Sequence, residues 1–228
     1  QKSLNWRIIM AQNIRNKRML ITGASKGLGK AAAIAFEQKG ARLALAARSD
    51  DKLDALKRSF DEQDKHLVFN LDLLDSKNIE ILTASIIEKW GGVDIILHCI
   101  GGSLGVNDTL VEWEDFTKCL KGNIGIASEI NRYLVQGMKV QNSGSIIHVG
   151  SIVSFEAGAS VPYSTAKAAL SGYVRSLGNE LLEQGIIVSG ILPGAFYGDD
   201  NSMFRYEYYK PEVYGCVLPT ITSQGGYK

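Results

Sequence analysis

The sequence predicts an α/β fold: one domain built on a doubly wound parallel sheet flanked by helices. Three observations carry that expectation. Six short apolar runs alternate along the chain with longer stretches of helical periodicity. Several of the runs are continuously apolar, as in parallel strands covered on both faces. Finally, the first run stops at Thr22-Gly23-Ala24-Ser25-Lys26-Gly27-Leu28-Gly29, after which an alanine-rich helical pattern begins. Such a strand, glycine turn and helix present unpaired N–H groups and a positive dipole end, a setting that suits a phosphate-bearing ligand. Glycine turns also occur where nothing binds, and this spacing differs from the better-known G-x-G-x-x-G.

The predicted strands are residues 18–22, 42–47, 67–70, 93–98, 145–149 and 186–191. The predicted helices are 27–39, 51–63, 76–90, 108–140 with a break about Gly122, and 164–184. Repeated β-α units imply right-handed crossovers. No Gly/Pro/Ser-rich linker divides the chain, so residues 10–228 read as a single domain. Residues 1–9 read as an arm or an added segment before a natural start at Met10, and 195–214 as a substrate lid.

Bulk properties exclude several function classes. The chain has 228 residues, 45% of them apolar and 21% charged, ordinary for a globular domain. Its 25 Lys and Arg nearly balance 24 Asp and Glu, so no field favours nucleic acid or an anionic membrane. No apolar run approaches the ~20 residues that a bilayer span needs. Cys99, Cys119 and Cys216 are odd in number and lack metal-ligand spacing, which points to reduced thiols and a cytoplasmic location.

Ligands of doubly wound sheets bind beyond the carboxyl ends of the strands. After the second strand stand Ala47 and Arg48. An acidic residue there would hold a ribose diol, whereas Arg48, with Lys26 of the glycine turn, suits a 2′-phosphate. Without the surrounding pattern, both cations could instead be solvated surface charges. After the third strand, Asp72 and Leu73 would border an adenine, or Asp72 would merely start the next helix. After the fourth comes Cys99-Ile100-Gly101-Gly102, glycine-rich and able to approach a ligand closely.

Ser151 follows the fifth strand, and twelve residues later comes Tyr163-Ser164-Thr165-Ala166-Lys167. The i, i+4 spacing puts Tyr163 and Lys167 on one helix face. A neighbouring ammonium favours phenolate, so Lys167 is expected to lower the Tyr163 pKa, with Ser151 placed to hydrogen-bond a substrate carbonyl. Alone, a Tyr and a Lys one turn apart are more often a packed ring and a solvated tail.

Taken together, TGASKGLG, Asn123 within Lys121-Gly122-Asn123-Ile124-Gly125, Ser151, YSTAK and Leu192-Pro193-Gly194 resemble the short-chain dehydrogenase/reductase family. The likeness is to its short single-domain branch, of the 3-oxoacyl-carrier-protein reductase type. The resemblance implies a Rossmann fold and hydride transfer from a nicotinamide. Tyr163 is then the general acid/base, and Lys167 holds the nicotinamide ribose. Ser151 polarises the carbonyl, and Asn123 anchors a water between Lys167 and solvent. Gly23, Ser25, Lys26, Gly27, Leu28, Gly29, Arg48, Asp72, Leu73, Gly101, Pro193 and Gly194 join Asn123, Tyr163 and Lys167 around the cofactor. The implied activity is NADPH-dependent, reversible reduction of a small-molecule carbonyl by a homotetramer or dimer. The alternatives are an NAD-dependent alcohol dehydrogenase, or a retired reductase that binds dinucleotide as a sensor or scaffold.

This chain departs from the family in three places. His98-Cys99-Ile100-Gly101 replaces the usual N-N-A-G, and the interval from Ser151 to Tyr163 is one residue short, which leaves Ser154 or Gly150 as rivals for the place of Ser151. Only 34 residues follow Gly194, where relatives carry a lid, a helix and a final strand. Other residues are read more simply. His98, His148 and Cys99 near adjacent strand ends are expected to be packed rather than metal-bound, and His66 is expected at the surface. The aromatic run Phe204, Tyr206, Tyr208 and Tyr209 would contact substrate or another subunit, and Asp199 and Asp200 are loop charges.

Overall fold

A computed structural model describes residues 14–194. The expected lid, the aromatic run, Cys216 and the segment before Met10 lie outside the described residues. Six parallel strands form one sheet in the order β3-β2-β1-β4-β5-β6. They are β1 (Arg18–Thr22), β2 (Arg42–Ala47), β3 (Leu67–Asn70), β4 (Ile95–His98), β5 (Gly144–Val149) and β6 (Ile186–Ile191). The helices are α1 (Gly27–Glu37), α2 (Asp50–Arg58), α3 (Ser76–Trp90), α4 (Trp113–Leu120), α5 (Ile126–Val140) and α6 (Val161–Leu181). Each face of the sheet has its own core. Met19, Ile21, Leu43 and Leu45 meet Ala33 of α1 and Leu53 and Leu56 of α2, while Leu20, Ile96 and Ile146 meet α3 and α5 through Ile79, Leu82, Ile130 and Leu134.

The chain winds outward from β1 through β2 to β3, then returns to β4 on the other side of β1. Register fixes that return, pairing Thr22 with Ala46 on one flank and with His98 on the other. The amino edge is held by Arg18, whose Nη2 and Nε bond Asp94 Oδ1 and Oδ2 at 2.8 and 3.1 Å and whose Nη1 bonds Trp90 O at 2.8 Å. Burial pushes the Asp94 carboxyl up, but the hydrogen bonds and charge of Arg18 outweigh it and hold the group below its ordinary range.

Several expected boundaries move, each for a local reason. The helix expected from 164 begins at Val161, because Ser160 supplies an extended N-cap and Pro162 suits a first turn. The stretch 51–63 stops at Arg58, where Ser59 Oγ bonds Leu56 O at 2.6 Å, and a short 3₁₀ turn Gln63–Lys65 follows. Helix begins at Trp113 rather than at 108. About Gly122 there is no break: a π-helical turn, Lys121–Gly125, joins α4 to α5. His66, expected outside, is only 1% exposed, since its Nδ1 accepts the Leu43 N–H at 3.1 Å and its ring packs on Phe60.

His98 and His148 meet across β4 and β5, their rings stacked at 4.7 Å. His98 Nε2 pairs with Asn131 Oδ1 at 3.0 Å, and Asn131 Nδ2 donates to the Tyr173 hydroxyl at 3.1 Å. Among the described residues no group of three or more His, Cys, Asp or Glu could hold a metal ion.

Burial is the first cause that pushes His66 and His98 down to about 4 and His148 down to about 2. Below pH ~6.5 an unfolded chain binds protons that these rings in the fold refuse, so the contribution of the three rings is level above that pH and falls as the solution is acidified. Asp94 adds its own loss only below about pH 4. Urea midpoints measured between pH 7.5 and 5 are therefore expected to drop below ~6.5, with a shallower slope in His148→Leu. A midpoint flat to pH 5 would contradict neutral buried histidines.

Candidate active site

The carboxyl ends of β1, β4, β5 and β6 bring the predicted residues to one edge. At the end of β1 the chain turns sharply at Gly23, φ +69°, with its N–H on Ala46 O at 2.8 Å. A side chain there would stand 3.0 Å from the Cys99 carbonyl at the end of β4, and one at Gly29 would overlap Gly23 O. Missing side chains thus set how closely turn, helix and neighbouring strand approach. Lys26 is the extended N-cap of α1 and makes no capping side-chain bond, so the first N–H groups of α1 face the turn without a cap from it.

Ser25 is half-buried beside Gly23, and Lys26 and Arg48 are exposed. Arg48 follows Ala47 at the end of β2. Asp72 Oδ1 accepts the Leu74 N–H at 3.1 Å, and the Leu73 side chain is buried in the core, which leaves Leu73 only its backbone for a ligand. Leu28, Ile191, Leu192 and Pro193 line a cavity of about 390 Å³ between the glycine turn and the end of β6. Ile152 N bonds Pro193 O at 3.2 Å, tying the Pro193-Gly194 turn to the residue after Ser151. The glycine cradle and this apolar cleft fit a dinucleotide.

Ser151, Tyr163 and Lys167 converge where β5 meets α6. Lys167 is 3% exposed; its Nζ donates to Val149 O at 2.8 Å and lies 5.8 Å from the centre of the Tyr163 ring. Burial pulls that ammonium down to about 8, against the opposing influence of Cys119 and Cys99. Burial also pushes the Tyr163 phenol above its ordinary value, and a side-chain hydrogen bond with Ser151 only partly offsets it. The expected sign for Tyr163 is therefore reversed: Lys167 turns its charge toward Val149 O, and loss of solvent decides the phenol.

Ser154 is committed elsewhere, its Oγ donating to Ser151 O at 2.7 Å and Lys167 O at 3.1 Å. Gly150 has no hydroxyl, and a side chain there would run into Leu192. Ser151 Oγ, which accepts the Val153 N–H at 3.4 Å, is the hydroxyl paired with Tyr163.

Asn123 occupies the π-helical turn, 3% exposed. Its Oδ1 accepts the Gly102 N–H at 3.0 Å, and its Nδ2 donates to Gly102 O and Cys119 O, both at 2.8 Å. A Cβ on Gly101 would stand 2.7 Å from Asn123 Oδ1 and 3.0 Å from Lys167 Nζ, so these polar atoms face one another across space only glycine leaves open. Val149 and Cys119 are contributors that sequence reasoning missed, and so is the pairing of Gly102, expected only to approach a ligand closely, with the Asn123 carboxamide. They act through backbone or a buried thiol, and only the position of Val149 at a strand end offered a signal. A separate cavity of about 220 Å³, lined in part by His148, Leu170 and Gly190, takes none of its lining from Ser151, Tyr163 or Lys167.

Comparison with known proteins identifies the family. A family model described as short chain dehydrogenase matches residues 17–206. The chain is 31% identical to the NADPH-dependent pterin aldehyde reductase of Arabidopsis thaliana, over 83% of this chain and 82% of that protein. It is 28% identical to a 3-oxoacyl-[acyl-carrier-protein] reductase of Vibrio cholerae, over 80% and 74%. L-Sorbose reductase from Gluconobacter frateurii, solved with NADPH and L-sorbose, matches with a TM-score of 0.81 at 29% identity, covering 89% of this chain and 78% of that one. With a family model matched over most of its length, the chain belongs to the short-chain dehydrogenase family of oxidoreductases.

Proposed function

We propose that the protein is an NADPH-dependent carbonyl reductase, reversible as an alcohol dehydrogenase. The observation that carries this reading is the meeting of Ser151, Tyr163 and Lys167 at the edge where the glycine turn and the Pro193 cleft also lie. When bound, the cofactor supplies the hydride that reaches the carbonyl carbon. Ser151 Oγ donates to the carbonyl oxygen, and Tyr163 delivers its proton to the same oxygen as negative charge develops there. Lys167 holds the ribose hydroxyls, and Asn123 orders the water that returns a proton. Arg48 and Lys26 hold the 2′-phosphate, and Ala47 places no carboxylate against it. The L-sorbose reductase and the pterin aldehyde reductase, both named with NADPH, support the choice of cofactor and of a carbonyl substrate. The fold's long helices would join subunits into a homotetramer of a cytoplasmic enzyme; among the described residues no helix is long and apolar enough to cross a membrane.

Two expectations follow for the purified enzyme. NADPH should bind more tightly than NADH, and Arg48→Ala should erode the preference by ~1.5 to 3 kcal/mol, the scale of a charged hydrogen bond. Titration giving equal dissociation constants in the unaltered enzyme would refute the 2′-phosphate site.

The second concerns protons. Tyr163 stays protonated across the ordinary range, and Lys167 is the group that titrates, near about 8. The kcat/KM for carbonyl reduction should fall as pH rises through that value, and Lys167→Arg, whose guanidinium keeps its charge, should move the limb upward while slowing the enzyme. Tyr163→Phe should lower turnover at least ~10²-fold and leave NADPH affinity largely intact. Near-normal turnover in Tyr163→Phe, or an alkaline limb indifferent to Lys167→Arg, would count against these roles.

A further inference from the structure

The loop between β4 and α4 contains a residue whose backbone is wrong for its side chain. Leu104 has φ +53° and is followed by Gly105 at φ +85°, and Val106 N bonds Ser103 O at 2.9 Å. Two positive φ values inside an i to i+3 bond are the signature of a type I′ turn, whose first central position is dominated by Gly, Asn and Asp. A leucine there is strained, and such strain persists only where surrounding structure over-determines it.

That surrounding structure is Gly122 of the π-helical turn. A Cβ on Gly122 would overlap Leu104 Cδ1 and lie 3.3 Å from Cγ, so the leucine tip fills the place of the missing side chain. The loop is pinned on both sides of this contact. Gly102 exchanges two hydrogen bonds with the Asn123 carboxamide, at 3.0 and 2.8 Å, and Val106 O accepts from Ser160 Oγ, the N-cap residue of the helix bearing Tyr163 and Lys167, at 3.1 Å. Gly101, between β4 and Gly102, leaves the gap across which Asn123 Oδ1 faces Lys167 Nζ.

We propose that Leu104 is a positioning residue: wedged over Gly122, it locks the 101–106 loop onto the π-helical turn and so fixes Asn123 opposite Lys167. The proposal rests on the reading of Asn123 and Lys167 given above. It explains why a strained leucine stands where asparagine would relax the turn, and why the adjoining helical position is a glycine.

Three variants test it. Leu104→Asn suits the backbone and empties the slot, Gly122→Ala evicts the leucine from the other side, and Leu104→Met refills the slot. Opposite changes in volume should give one signature: kcat down ~10- to ~100-fold in Leu104→Asn and Gly122→Ala, as expected of a sub-ångström misplacement. In both, KM for the carbonyl and the NADPH dissociation constant should stay within ~3-fold while the alkaline limb of kcat shifts, and Leu104→Met should keep kcat within ~3-fold. An arm independent of turnover is alkylation of Cys119, fully buried with its Sγ 3.6 Å from Asn123 Nδ2, followed by peptide mass with iodoacetamide. Its rate should rise at least ~10-fold in the first two variants, because the loop opens. Folding is checked by thermal melt, and Leu104→Gly replaces Leu104→Asn if the latter does not fold. A folded variant with unchanged Cys119 alkylation overturns the lock even if the catalytic reading fails by Tyr163→Phe; faster alkylation with unchanged kcat and pH profile overturns the positioning role.

Discussion

Strands β1 and β4 lie side by side although β2, β3 and three helices separate them in sequence, and every other feature of the site depends on that pairing. It makes the chain leave β1 toward one flank and β4 toward the other, opening a crevice at their carboxyl ends. The pairing is affordable only where backbone meets backbone: Gly23 passes the Cys99 carbonyl at a distance that no side chain tolerates, and Gly29 packs on Gly23. Thr22 Oγ1 accepts the Cys99 N–H at 3.2 Å and closes the seam.

The same burial that holds the sheet together sets the chemistry. Lys167 sits almost out of solvent between β5 and α6, so its ammonium is weakened before any ligand is considered, and the Tyr163 phenol is held protonated. Cys99 is pushed up to about 12 and Cys119 is raised as well, both first by burial, so these thiols stay neutral beside Lys167. The site therefore carries one titrating cation near neutrality, poised by loss of water rather than by a partner carboxylate.

How much of this the sequence made legible depended on which atoms do the work. The bounds 18–22, 42–47, 67–70 and 186–191 are those of β1, β2, β3 and β6, because short runs rich in apolar residues end at polar or glycine-bearing breaks, although of these four only β1 and β2 are buried along most of their length. The helix starts at 27 and 76 were equally legible, but those expected at 108 and 164 were not, since Glu112, the N-cap residue of α4, and Ser160 with Pro162 decide them by local geometry. Ser151, Tyr163 and Lys167 could be grouped by spacing together with the family resemblance, because side chains that meet from one helix and one strand end leave a pattern. The lock of Leu104 on Gly122 leaves none, joining a loop to a helix through shape alone. The sign of the Tyr163 shift was equally out of reach, since spacing reports a neighbouring charge but not the burial that outweighs it. His66 misled because a histidine directly after five polar residues, 61–65, resembles surface, while the start of β2 needed an acceptor for Leu43 N.

The central claim is that this edge transfers a hydride to a carbonyl carbon and a proton to its oxygen. Single turnover with NADPH carrying deuterium at both C4 positions of the nicotinamide, against a panel of aldehydes and ketones in ordinary water, tests it most directly. The account predicts an alcohol carrying one deuterium on the carbinol carbon, formed by the unaltered enzyme and at least ~10²-fold more slowly by Tyr163→Phe. Reduction with no deuterium on that carbon, or equal rates in the two proteins, would contradict it.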